Sequence, residues 1–377
     1  MTGGDVLLTG FASITGLGPS RGLPAPGVSA PLQPMTRWAT PGPRQACLVP
    51  AFRPGEVVPG LRTRRIDRLS AWALVGSALA LQDAGLDLAA VDGERIAVVW
   101  GTSFGCLDLT GEFLGSLATS AAQADPILFP ETLANLPASH VAKHFGLRGP
   151  NITISAGRLS GEAALIEAVS LLRTGAADRA VVVAGDTLTR SLYEWYEAAG
   201  ALSSACTGGE ATASRGECLP LVPGEGLVAC VIETAESVAA AARRAHGRYR
   251  AGWMGGGEPP GDMEWARSIE ERVGRLIDTE ARPDLVVIPR AADSVDVPSP
   301  VGPAAVPPAA GTAGEHEASR SRFVPAPEFG EFGGAGLMSL GVALAMMHGS
   351  SASCVAVAGR TRSNQAVLVV SGQEAGG

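Results

Sequence analysis

The feature that most restricts the fold of this chain is an internal repeat. Residues 160–185 read SGEAALIEAVSLLRTGAADRAVVVAG and residues 335–359 read AGLMSLGVALAMMHGSSASCVAVAG. Each opens on small residues, runs through a few turns of helix pattern, stops near a glycine, crosses a short polar loop and ends in an apolar strand closed by Ala-Gly. One single-residue gap aligns them. An upstream pair recurs as well: the helix-then-strand pattern of residues 65–101 has a shorter counterpart in residues 265–289, which ends in Asp284-Leu285-Val286-Val287-Ile288. Two such sets point to duplication and to pseudo-twofold packing of two α/β halves, expected at residues 1–245 and 246–377.

Between the repeats the pattern is strand, loop, helix, strand. Val6-Leu7-Leu8-Thr9 reads as a strand with its turn at Gly10–Gly18, followed by a Pro/Gly/Ala-rich surface excursion to about Gly60. Residues 65–85 read as a helix, and Arg95-Ile96-Ala97-Val98-Val99-Trp100 as a strand buried on both faces. Residues 294–321 are rich in Pro, Ala and Gly and read as a long loop.

Composition narrows the function. The net charge is −8 and only 18% of residues are charged, which argues against nucleic-acid binding. No apolar run approaches the roughly 20 residues of a membrane span, and the opening residues do not read as a signal peptide, so a soluble cytoplasmic protein is expected. The six cysteines are scattered without a C-x-x-C spacing and read as reduced, buried thiols. The five histidines form no H-E-x-x-H, so no metal site is expected. His246 and His316 lie in polar, surface-like stretches. Thr9-Gly10 and Gly16-Leu17-Gly18 are too far apart for a dinucleotide fingerprint, and the Pro-rich stretch after them supplies no phosphate-capping helix. No cofactor is implied.

Five motifs, in order, carry a resemblance. They are residues 8–18 (LTGFASITGLG), residues 145–151 (FGLRGPN), Pro223-Gly224-Glu225-Gly226 before an apolar strand, residues 329–336 (FGEFGGAG), and Asn364 before the final strand. Together they resemble the β-ketoacyl synthases over nearly the whole length. That resemblance implies an α/β thiolase-like fold of two duplicated βα halves in a five-layered α-β-α-β-α arrangement.

Decarboxylating condensation needs a thiolate, best placed at a helix N-terminus, and in that family two histidines that assist decarboxylation and stabilise oxyanion charge. The resemblance places Arg158 at the cysteine position and Arg290 at the first histidine. Gly330, or with a one-residue shift Glu331, falls at the second. A guanidinium is no nucleophile, and a cation at a helix N-terminus needs compensation, for which Glu162, Asp186 and Glu331 are candidates. Ser155 and Ser160 lie close to the nucleophile position, but no histidine falls in a catalytic stretch to activate them.

A ketosynthase-like chain without these groups resembles the chain-length factor (KSβ) of type II polyketide synthases. The resemblance implies a non-catalytic partner that forms a heterodimer with an active ketosynthase (KSα), meets the acyl carrier protein through that complex, and bounds the tunnel in which the chain grows. Such factors often carry glutamine where Arg158 stands, and the shortening around Gly255–Met263 fits factors of highly reducing, polyene-forming systems at least as well as aromatic ones. Tunnel-wall candidates are Leu109, Glu112, Phe113, Ser116 and Leu117 on one helix, with Thr132, Leu133 and Leu136 on a second segment. For each, an ordinary core position is an equal expectation. Interface candidates are Asn151, Ile152, Thr153, Ile154, Ser155 and Ala156, on a strand that pairs across the dimer axis in this family. The competing expectations are an active acyltransferase or condensing enzyme with an unrecognised nucleophile, and a stand-alone acyl-binding protein.

Overall fold

The computed structural model describes residues 4–26, 28–35, 45–202, 222–256, 269, 272–273, 275–276, 285–288, 322–325, 332, 334–348, 354–360 and 364–372. In the first half the strands are β1 (Val6–Thr15), β2 (Gly18–Arg21), β3 (Gln33–Pro34), β4 (Gln45–Ala46), β5 (Ile96–Gly101), β6 (Asn151–Ile154), β7 (Arg179–Asp186) and β8 (Gly226–Thr234). The second half supplies β9 (Gly247–Gly256), β10 (Leu285–Ile288), β11 (Arg322–Pro325), β12 (Cys354–Arg360) and β13 (Asn364–Ser371). The helices are α1 (Pro54–Val57), α2 (Arg68–Asp83), α3 (Leu107–Thr119), α4 (Leu136–Phe145), α5 (Ser160–Arg173), α6 (Arg190–Ala198), α7 (Ala235–Ala240) and α8 (Ala335–His348).

The strand order makes the duplication explicit. One five-strand path runs β1-β8-β7-β5-β6 and the other runs β9-β13-β12-β10-β11, the two joined where β1 pairs β9. In each path the first two pairings are antiparallel and the last two parallel. The repeated segments become α5–β7 and α8–β12, and the shorter upstream counterpart ends in β10, as the pattern predicts.

Strand alternation then sorts the core into layers. Val182 and Ala184 of β7, Val228 and Cys230 of β8, and Leu368 and Val370 of β13 share one apolar cluster with α5 and α8, which lie between the two sheets. Their neighbours Val181, Val183, Leu227 and Ala229 face outward onto α2 and α4. Val367 and Val369 of β13 face Ile269 and Val273 on the opposite side. That is the five-layered arrangement. Residues 69–81 of α2 are buried on every side of the helix, which is why its apolar pattern shows no single stripe.

The first strand is longer than the sequence suggests. β1 continues through Thr15, and the turn is confined to Gly16-Leu17, with Gly18 at φ +89°. Gly10 marks close packing rather than a turn: a Cβ there would lie 2.1 Å from the Ala80 carbonyl oxygen of α2. The excursion to Gly60 is also partly ordered, with β2 paired to β1, the short β3–β4 ladder, and α1. No helix among the described residues is long and apolar enough to cross a membrane.

Candidate functional site

The stretch that the resemblance assigns to the nucleophile, residues 155–161, lies where β6 leads into α5, which packs on β5 and β7. Residue 158 falls just ahead of α5, whose N-cap is Leu159, so Arg158 stands near the helix N-terminus. Ser160 is fully buried and its hydroxyl is committed: it accepts from the Ala156 N–H at 3.0 Å and lies 2.9 Å from the Thr102 carbonyl and 2.5 Å from that of Gly157. No histidine is among these partners, so nothing activates the hydroxyl. Ser155 is exposed beside it.

Asp186, buried at the end of β7, shapes the adjoining turn. Its carboxylate accepts from Thr102 Oγ1 at 2.5 Å, from Ser103 N–H at 3.1 Å and from Phe104 N–H at 3.0 Å. Thr102 Oγ1 in turn accepts from Gly105 N–H at 2.9 Å. Gly105 sits at φ +64°, and a Cβ there would lie 3.0 Å from Ala134 Cβ. This turn aims α3 away from the sheet. Glu162, also buried, lies in the first turn of α5 and abuts the start of α8: a Cβ on Gly336 would fall 2.1 Å from its carboxyl carbon. Two helix N-termini therefore converge on one carboxylate, a favourable arrangement for negative charge.

Two of the described cysteines are held as thiols near neutral pH. Burial, then the neighbouring carboxylates of Asp67, Glu131 and Asp186, push the Cys106 thiol up to about 12. Burial alone pushes Cys230 up to about 12. Cys106 and Cys230 are free thiols, while Cys206 and Cys218 lie outside the described residues. Arg290, Gly330, Glu331 and His316 also lie outside them. His246 departs from its surface reading: its Nε2 is 2.6 Å from Asp83 Oδ2, in a partly buried pair.

The wall candidates sit on an uncovered face. No residue of α3 is buried: Leu109, Phe113 and Ser116 are half-buried, and Glu112 and Leu117 are exposed. The structure brings the second segment against that helix: Thr110 Oγ1 lies 3.4 Å from the Thr132 carbonyl, Cys106 Sγ lies 3.4 Å from that of Leu133, and the Phe113 and Phe129 rings are 5.5 Å apart. Leu136 opens α4. Leu109 and Glu112 instead line a cavity of about 470 Å³ with Asp67, Arg68, Cys106 and Asp108, a setting more charged than an acyl tunnel. Phe104, Leu114, Ile127 and Phe129 were not singled out from the sequence, yet they are 38%, 54%, 80% and 55% exposed. The signal available was the run of large apolar residues between 104 and 133.

The interface candidates divide. Asn151–Ile154 form β6, the last strand of its path, paired on one side to β5. Ser155 and Ala156 fall beyond the strand, because the chain turns there into the approach to α5. The end of β6 is tied to the α3 turn by Thr102 N–H to Ile154 O at 3.0 Å and Ser103 Oγ to Gly157 O at 2.8 Å.

Residues 41–237 match the family model described as Beta-ketoacyl synthase, N-terminal domain. This chain belongs to the β-ketoacyl synthase family. Among curated relatives, a 3-oxoacyl-[acyl-carrier-protein] synthase 2 of Vibrio harveyi is 29% identical over 143 residues, covering 38% of this chain and 34% of the relative. The tetracenomycin polyketide synthase ketoacyl synthase alpha subunit of Streptomyces glaucescens is 35% identical over 140 residues, covering 35% of this chain and 32% of the relative. The chain thus spans about a third of the length of the curated relatives it matches. The ishigamide ketosynthase/chain length factor structure superposes over 98% of this chain and 99% of its own, with a TM-score of 0.75 at 20% identity. At that identity the likeness speaks to the ketosynthase fold alone.

Proposed function

We propose that this ketosynthase-family chain is a non-catalytic chain-length factor that pairs with a cysteine-bearing ketosynthase of the same fold and walls the tunnel in which the polyketide grows. The observation that carries this reading is the open edge of β6 tied to the uncovered apolar face of α3 and the turn at Phe129–Thr132. A sheet edge beside exposed Phe and Leu side chains is a surface that a second subunit completes, by strand pairing and by apolar burial. Arg158 at the nucleophile position, the committed Ser160 hydroxyl and the protonated buried thiols support a partner that does not itself form the acyl thioester. Contact with an acyl carrier protein, through the active subunit, and a place in a highly reducing, polyene-forming system belong to the same proposal. Phe113, Leu117 and Leu133 are its wall residues, and Asn151–Ile154 its axial strand.

The decisive experiment is native mass spectrometry of this chain co-expressed with the cysteine-bearing ketosynthase encoded beside it. A predominant one-to-one complex is expected. A stable homodimer that ignores that ketosynthase would sink the reading.

A further inference from the structure

Asp67 is far in sequence from Glu131 and His140, and the three come from three different elements: the N-cap of α2, the 3-10 turn at Phe129–Thr132, and α4. One donor atom of each lies within 4.8 Å of the other two. Asp67 Oδ1 is used, capping α2 through the Ser70 N–H at 2.9 Å. Asp67 Oδ2 and His140 Nε2 are both shut off from solvent and have no hydrogen-bond partner. A buried carboxylate oxygen and a buried imidazole nitrogen each lose water without replacement, an arrangement native proteins rarely leave in place.

From this cluster we infer that Asp67, Glu131 and His140 form a binding site for a divalent transition-metal cation, of which Zn²⁺ is the representative. The donor set is one imidazole nitrogen and two carboxylate oxygens. Mg²⁺ and Ca²⁺ favour all-oxygen shells, whereas a mixed nitrogen and oxygen set suits zinc and its neighbours. Two carboxylates and a neutral imidazole balance the dipositive ion, and water or another donor can take the fourth position. Tetrahedral zinc with bonds of about 2.0–2.1 Å wants donors about 3.4 Å apart, so a small inward movement of the side chains completes the site. Glu131 sits on a turn and has the side-chain torsions for that movement.

The ion would fasten the Phe129–Thr132 turn to the two helices beneath it, and with it the exposed face that carries Phe129. Its formation does not depend on the chain-length-factor reading. No metal spacing was visible in the sequence, because the ligands share no local motif.

The test is calorimetric titration of Zn²⁺ into the purified full chain, first stripped with chelator and held in a non-coordinating buffer. One equivalent per chain is expected, weakened ten-fold or more in Glu131→Gln and in His140→Gln, with Zn²⁺ raising the melting temperature of the parent and not of Glu131→Gln. Glu131 lies on a surface turn, so its substitution keeps the test open even if His140→Gln misfolds. No zinc uptake, affinity unchanged in Glu131→Gln, or Mg²⁺ bound as tightly as Zn²⁺ would each overturn the assignment.

Discussion

Cys230 and Gly336 show how single residues are held by their surroundings. The Cys230 thiol is fully buried in β8 and its pKa stands at about 12 against an ordinary 9.0. A group whose folded pKa is raised in this way contributes its stability in full below pH 9, and loses it as the pH climbs from about 9 towards 12. Thermal melts should therefore show stability falling above about pH 9, by up to about 1.4 kcal/mol per pH unit from each such group. In Cys230→Ala the alkaline decline should be shallower, and an unchanged slope would count against the assignment. Gly336 is a second case. Its missing Cβ leaves room for the Glu162 carboxylate between two helix starts, so Gly336→Ala should lower stability by about 1–3 kcal/mol in denaturant unfolding. A variant as stable as the parent would show that the contact relaxes without strain.

Among the elements, β6 and α3 carry the proposed interface and tunnel wall. The hydrogen bonds Val98 N–H to Pro150 O at 2.8 Å and Thr102 N–H to Ile154 O at 3.0 Å set the alternation along β6. They turn the N–H groups of Asn151 and Thr153 away from β5, toward the open edge. Thr153→Pro should thus fold, since it removes only an outward donor, and should weaken pairing with the ketosynthase ten-fold or more in analytical ultracentrifugation. Pairing as tight as that of the parent would remove β6 from the interface. On α3 the Phe113 ring packs on Phe129. If it forms the tunnel stop, Phe113→Ala in the reconstituted complex should shift the products to longer chains, and an unchanged product distribution would exclude it.

At the scale of the whole molecule, the two half-sheets repeat one order and one set of strand senses, with α5 and α8 in the shared central layer. What breaks the symmetry is the face outside them. Leu114 and Leu117 of α3 are 54% and 41% exposed, near the exposed Ile127 and Phe129. Large apolar side chains left exposed in this way promote association in the absence of a partner. The lone chain should self-associate at micromolar concentration, and Leu114→Asp with Leu117→Asp should suppress that in sedimentation velocity while also weakening the heterodimer. Suppression of one without the other would separate the two surfaces.

Much of this was legible in the residues themselves. The repeat foretold α5–β7 and α8–β12, because strand alternation and helix pattern are local and are written in consecutive side chains. The family motifs were equally local, since each is a short run of consecutive residues, and the placing of Arg158 just ahead of α5 followed from one of them. Local signals misled where a residue served a distant neighbour: Gly10 read as a turn but makes room for α2, and His246 read as surface but pairs with Asp83. The sequence by itself therefore determined the duplicated layers and membership of the ketosynthase family. Only the tertiary structure decided that α3 stands outside the core and that Asp67, Glu131 and His140 meet. Those facts depend on how elements far apart in the chain pack, and no periodicity within any one of them records it.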